Sequence, residues 1–505
     1  MKIAIIGAGI TGIAAASILN KAGYQTILFE KSGKAGGVWA VGYPGVYLQN
    51  TSRQYTLAEF PWPFKPAYHP TAIEILKYLD LAIEGLGLDV RKRAEVVGMV
   101  ENDRGWTLRY RDDAGEQEQQ FDYVVSAIGQ YTEGKYKPAF PGQETFEGGI
   151  ITERDIDSPD LFRDKRTVVV GFGKSAVDIA AMASDGAEQV HHVFRTPRWM
   201  LPFTIFRIHY THLLFCRLNT FFMPCWAHPT AFERFVHHRL GLLVDSFWFF
   251  ISRLFVLLCK LRGVFKGRAA NRRLDTLIPR HRFIGDLRSA AALTPPDYYR
   301  LVAEGRVEPC HGEISRFSGQ AVHLKDGRSI TCDQVVLCVG SEQPRFPFLP
   351  DKYRRLLESE DDGVQLYRHI LHPDIPRFAC AGYNHGFMHV PAAEIGMIWL
   401  CAYLNGDIIL PDREVMLRCI EATREWKRKH INYEPSRSCA VNTRFQQYLD
   451  IMLQELGVSP YRKMPNLFAE IFAQYGAEDY RGVFDEYLRR SKKRNTPLPS
   501  LPLDT

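Results

Sequence analysis

The chain has 505 residues, 46% of them hydrophobic, enough to bury a large core, and its length fits two to four domains. A formal charge of +6 does not point to nucleic acid, and ten cysteines without a C-x-x-C pair suggest neither a disulfide framework nor a zinc site. No stretch reaches about 18 uncharged apolar residues and the first residues read as an apolar strand rather than a secretory signal, so the sequence predicts a protein of a reducing, cytoplasmic compartment.

Lys2 to Ile6 reads as a buried parallel strand, and Gly7, Gly9 and Gly12 follow in G-x-G-x-x-G spacing at the start of a helix-like segment. In turn, these glycines allow a tight turn, close approach to a pyrophosphate, and helix-on-strand packing, with the helix N-terminus facing the anion. A second strand, YQTILFE, ends at Glu30, 23 residues after Gly7. A carboxylate there hydrogen-bonds an adenosine ribose hydroxyl and repels a 2′-phosphate. This unit predicts a dinucleotide with a free ribose, such as FAD.

The arrangement recurs at VVVGFGKSAVDIA, residues 168–180, where Gly171, Gly173 and Ala176 take the three glycine positions and Ser175 joins them as a cofactor-binding residue. Gly173-Lys174-Ser175 imitates the end of a P-loop, but Val168 stands where that motif needs glycine. The strand after this helix, QVHHVF, ends at Arg195, with Arg198 beyond it. Arginine suits a 2′-phosphate, so the second loop predicts NADPH; the alternative for Arg195 is an ordinary solvated strand-end side chain.

Residues 201–290 interrupt the α/β pattern with an aromatic block carrying 14 Lys and Arg against 4 Asp and Glu. In LGLLVDSFWFFISRLFVLLCKLRG, Asp245, Ser252, Arg253 and Lys260 share one helical arc and most apolar residues take the rest. Two readings stay open: a peripheral contact with an anionic membrane, or a helical subdomain over the substrate pocket or against a homodimer partner. From 436 the pattern is helical to about 490, and the Pro-rich basic end, 491–505, predicts disorder.

With both loops placed, the chain resembles the flavin-containing monooxygenases, within the larger group that includes Baeyer-Villiger enzymes. The match runs from Met1 to about Gly406. GGVW, with Gly37 and Trp39, is like the family's G-G-x-W, and YPGVYLQNTSRQYTLAEFPWP resembles the stretch carrying an amide near the reactive edge of the flavin. Ungapped counting puts Gln49 at that amide position, whereas Asn50 fits the local N-x-S pattern; both are candidates. DYVVSAIGQY, with Gly129, and DQVVLCVGS resemble the family's two returns between nucleotide domains, and the stretch 377–406 resembles its flavin-covering strand and helix. The identifying motif, F-x-G-x-x-x-H with a later aromatic, maps onto Phe146, Gly148, Thr152 and Ile156. The histidine and the aromatic are missing, which marks a divergent member.

The resemblance implies an α/β protein with two Rossmann-like domains, the second inserted in the first. An FAD domain takes 1–160 and 341–435, and an NADPH domain takes 161–340 with the 201–290 insertion inside it. The implied reaction passes hydride from NADPH to flavin, adds O2 to give a C4a-hydroperoxide, and transfers one oxygen to a small-molecule substrate, with the amide of Gln49 or Asn50 holding the reacting group. That chemistry needs no general base and no metal, so His385 and His389 read as structural histidines. Three functions follow: oxygenation of a soft nitrogen or sulfur centre, Baeyer-Villiger oxidation of a ketone, which Tyr43-Pro44-Gly45 favours, or a flavin-binding scaffold without turnover.

Overall fold

The computed structural model describes residues 1–500 except 206, 224–230, 262, 264–265, 290–291, 296, 362, 385, 432–443 and 495. Two five-stranded parallel sheets form its frame. The first runs, in spatial order, Phe378–Cys380, Tyr123–Ser126, Lys2–Ile6, Gln25–Glu30 and Val90–Lys92. The second runs Glu308–His311, Gln189–Phe194, Arg166–Val170, Gln334–Leu337 and Gly149–Thr152. Their central strands are near-continuous apolar runs because both faces are covered: Ile3, Ala4, Ile5, Val168 and Val169 are fully buried. In each sheet the strand that feeds a glycine turn is the one where the strand order reverses, which is where open α/β sheets bind ligands.

Helix α1 (Ile10–Lys21) follows the first turn and α2 (Lys174–Ala183) the second. Further on, α3 (Gly241–Leu261) belongs to the insertion, and α4 (His389–Leu404) packs against α1 beneath the first sheet's ligand edge. Every residue of α4 from Val390 to Ala402 is buried, as expected of a helix apolar on all sides.

Three expectations need correction. The chain enters the second sheet at Gly149, where Gly149–Thr152 pairs with Gln334–Leu337, so the expected boundary at 160 lies too late. That strand has four residues and only Thr152 is buried, too little apolar pattern to announce itself. Within the tail expected to be disordered, Leu498–Pro499 pairs in parallel with Ile408–Ile409, and buried Ser500 bonds Tyr367 and Glu455. Proline suits such an edge strand, which a Pro-rich composition conceals. Finally, α3 has the length and composition to cross a bilayer. Its three charges, Asp245, Arg253 and Lys260, leave the average apolar, while Val244, Trp248, Phe255 and Cys259 form the stripe it buries. Phe283 anchors that stripe, 5.7 Å from Trp248 and 5.1 Å from Phe255 between ring centroids.

Candidate functional site

A continuous cavity of about 1210 Å³ runs between the two glycine turns and is lined from both. Gly7, Gly9, Glu30, Gly37, Trp39, Gln49, Asn50 and Gly129 border it from the first sheet, and Gly171, Gly173, Ser175, Arg195 and Arg198 from the second. The side chains singled out in the sequence therefore converge on one space. Gly12 lies just outside the lining, as the packing glycine beneath the turn.

The first turn is built so that no side chain fits where the chain bends. Gly7 has φ +106°, and a Cβ there would lie 2.5 Å from the Ala127 carbonyl oxygen; one on Gly12 would lie 2.0 Å from the Gly7 oxygen. Glu30, at the end of its strand, is 8% exposed. Its Oε2 accepts from the Ala8 amide at 3.0 Å and its Oε1 from the Ser32 amide at 2.9 Å, which fixes the carboxylate at the cavity wall. Each oxygen keeps lone-pair capacity for a sugar hydroxyl. Trp39 donates from Nε1 to the Tyr55 hydroxyl at 2.6 Å, so its ring is oriented by a hydrogen bond as well as by packing. These residues fit an adenosine dinucleotide with a free ribose, FAD.

The second turn repeats the construction. Gly171 has φ +123° and its Cβ would meet the Cys338 carbonyl, whereas a Cβ on Gly173 would meet nothing within 4 Å, which leaves the N-terminus of α2 open to an anion. Arg195 is exposed at the cavity and makes no hydrogen bond or ion pair among the described residues. Arg198 is different: its Nη1 is held by the buried Asp286 carboxylate at 3.0 Å. Asp286 also accepts from the Trp199 amide and bonds His281. The two arginines, expected to act alike, are one free cation and one anchored cation. Together with the open turn they fit NADPH.

Gln49 and Asn50 both line the cavity, and both also satisfy backbone groups. Gln49 Oε1 accepts from the Leu293 amide at 2.8 Å, tying the loop to the strand just past the insertion, and Asn50 Nδ2 donates to the Phe387 carbonyl at 2.5 Å, tying it to the segment before α4. Thr152, where the family motif has histidine, bonds Asp155 at 2.9 Å to cap a short turn, and Ile156 is buried in the second core. His389 Nε2 lies 3.1 Å from the Thr11 hydroxyl on α1, at the cavity lining, and His385 is outside the described residues.

One cluster carried no motif. Lys174 is ion-paired with Asp178 one helical turn on, and the Tyr43 hydroxyl donates to Asp178 at 2.6 Å. Burial pulls the lysine down and pushes the aspartate up, each against its charged form, and their mutual attraction offsets this. The Lys174–Asp178 spacing of four is visible in the sequence; Tyr43, 135 positions away from Asp178, is not. The cluster joins the Tyr43-Pro44-Gly45 loop of the first domain to the second domain's turn.

Comparison with known proteins places the chain among proteins of the same fold. The pattern of the family described as Flavin-binding monooxygenase-like matches residues 62–239, and that of the NAD(P)-binding Rossmann-like domain matches residues 5–45. The chain is similar to a probable flavin-containing monooxygenase 1 of Arabidopsis thaliana, 27% identical, with 95% of this chain and 96% of that protein covered. Among solved structures, S-allyl-L-cysteine S-oxygenase from Allium sativum superposes with a TM-score of 0.61 at 19% identity, covering 98% of this chain and 99% of the other. An open structure of cyclohexanone monooxygenase superposes with a TM-score of 0.65 at 18% identity, covering 97% and 98%.

Proposed function

The chain belongs to the flavin-binding monooxygenase-like family, and from that premise we propose that it is an NADPH-dependent FAD monooxygenase acting on a soft nitrogen or sulfur centre of a small molecule. The observation that carries the reading is one cavity shared by both turns, with a fixed carboxylate, Glu30, at one and, at the other, Arg195, exposed and without a hydrogen bond or ion pair among the described residues. When bound, FAD and NADPH supply the reducing equivalents and activate O2 for transfer of one oxygen atom. The protein's part is to bind, orient and keep dry. Glu30 holds the ribose of the first nucleotide, Arg195 the extra phosphate of the second, and the turn glycines admit both pyrophosphates. Gln49 and Asn50, as neutral amides, hydrogen-bond the reacting group without releasing a proton.

A second reading, Baeyer-Villiger oxidation of a ketone, draws on Tyr43: in the Y-P-G stretch, its hydroxyl bonds Asp178 beside the second nucleotide turn, so that loop is coupled to the NADPH end. One experiment separates these. The purified protein should be yellow, bleach faster with NADPH than with NADH, and oxygenate an amine or thioether; lactone formation from a ketone, with amines and thioethers untouched, would give the assignment to the second reading. A colourless protein that takes up no FAD would leave only a scaffold.

The insertion we assign to an anionic membrane surface. The face of α3 away from Phe283 carries exposed Leu242, Leu243, Phe249, Phe250 and Leu257 beside Arg253 and Lys260. Co-flotation with anionic vesicles that high salt reverses supports this; a salt-indifferent homodimer with no vesicle binding would replace it. The eight described cysteines are buried thiols, which supports placement in the cytoplasm.

A further inference from the structure

Against the backbone of the Gln49–Asn50 loop, two histidines that are not among the cavity's lining residues meet. His69 Nδ1 lies 3.1 Å from the Leu48 carbonyl oxygen and 2.9 Å from that of Asn50, so it bridges the two ends of the loop. His69 Nε2 lies 2.9 Å from Nε2 of His209, which ends the insertion's hairpin Thr204–Ile205/Ile208–His209. His209 Nδ1 in turn faces the Thr211 amide at 3.4 Å and the Thr211 hydroxyl at 2.9 Å. Next to it, the Tyr210 hydroxyl donates to the Gln49 carbonyl at 2.5 Å.

This chain of contacts has one consistent arrangement of protons. Two carbonyl oxygens can only accept, so His69 Nδ1 carries the hydrogen and, in the neutral ring, its Nε2 is an acceptor. His209 Nε2 must then donate, which leaves His209 Nδ1 to accept from Thr211. A proton added to His69 would set one N–H against another. The surroundings keep the rings neutral: burial lowers His69, with Lys174 adding to it, and burial, then His69 and His212, lower His209 to about 4. Phe203 closes over the pair, its ring centroid 4.6 Å from that of His69.

We propose that His69 and His209 are positioning residues for the oxygen-transfer step, a pair of neutral imidazoles that fastens the Gln49–Asn50 loop to the insertion and so fixes both amides at the cavity wall. The proposal rests on the reading above that these amides face the reacting group. It also gives the insertion a role that membrane contact does not: the hairpin at its start and Leu293 just past its end grip the same loop, through His209 and Tyr210 on one side and the Gln49 side chain on the other.

The test uses the FAD-loaded full chain and two readouts, amide hydrogen exchange of segment 46–52 and the fraction of NADPH oxidation that ends as hydrogen peroxide. His209→Leu removes the donor; His209→Gln keeps an N–H at the Nε2 place. Expected are roughly fivefold faster exchange in 46–52 and a higher peroxide fraction for His209→Leu, the scale of one lost buried hydrogen bond, and return toward wild type for His209→Gln. Tyr210→Phe, which cuts only the bond to the Gln49 carbonyl, provides the same comparison in a milder variant. Wild-type exchange in 46–52 for both His209→Leu and Tyr210→Phe overturns the proposal. Faster exchange with an unchanged peroxide fraction keeps the fastening and instead removes Gln49 and Asn50 from the oxygen step.

Discussion

Arg195 and Arg198 follow the end of the same strand, and Asp286 holds Arg198 at 3.0 Å, whereas Arg195 has no such partner among the described residues. The two should separate on mutation. Arg195→Ala removes an unpaired, exposed cation, so folding stability stays near wild type while kcat/KM for NADPH falls roughly 10- to 100-fold and that for NADH barely moves, the cost of a lost charge-assisted bond. Arg198→Ala leaves Asp286 buried with fewer donors, so its main effect is on stability, about 2–3 kcal/mol, with a smaller loss of NADPH preference. Steady-state kinetics with both nucleotides and thermal melts check both; equal losses with NADPH and NADH for Arg195→Ala would remove the phosphate role.

The two glycine turns predict contrasting alanine variants. In Gly12→Ala the new methyl would sit 2.0 Å from the Gly7 carbonyl oxygen, backbone that cannot give way, so the protein should purify without flavin. Gly173→Ala meets no protein atom within 4 Å, so it should fold and retain FAD but crowd the second pyrophosphate. A KM for NADPH raised roughly tenfold, about 1.4 kcal/mol, is expected. Visible absorbance and NADPH titration read the two effects separately.

Gln49→Ala and Asn50→Ala should each raise the peroxide fraction of NADPH turnover while leaving flavin content unchanged. Gln49→Ala also frees the Leu293 amide and Asn50→Ala the Phe387 carbonyl, so a fall in melting temperature of a few degrees accompanies each. Unchanged coupling in both variants would assign the pair to loop structure alone.

Glu394, within the buried α4, predicts a pH dependence. Burial raises its carboxyl from 4.5 to about 8, and both oxygens lie within reach of the Ala58 amide. Between those two values the folded protein holds a proton that the unfolded chain has released, so this group's contribution to stability is full below pH 4.5 and is lost as pH rises toward about 8. Glu394→Gln keeps an acceptor for Ala58 and removes the titration. Its melting temperature should therefore fall less than that of wild type over the same interval; parallel curves would show that Glu394 is not protonated in the fold.

What was legible in the sequence was local. Lys2–Ile6 and Arg166–Val170 are apolar runs that announce buried parallel strands, and each glycine turn with the charged residue ending the next strand lies within about thirty residues, the size of one βαβ unit. Gly149–Thr152 was missed because four residues, only one of them buried, show no period, and its partner lies 185 positions on in the register Gln334↔Gly149. The same reason hid Leu498–Pro499, the bond from Tyr43 to Asp178, and the His69–His209 contact, which spans 140 positions. In α3 no local pattern tells which apolar residues find Phe283 and which face water.

The first sheet closes with Phe378–Cys380, whereas all five strands of the second fall between Gly149 and Leu337. As the polypeptide leaves the ribosome, the inserted unit has every strand it needs while the host unit still lacks its outermost one. Val124 and Val125, fully buried in the finished protein, present an open strand edge throughout that interval. The unit begun first is thus sealed last, and the nascent chain's dependence on chaperones should be concentrated on that edge.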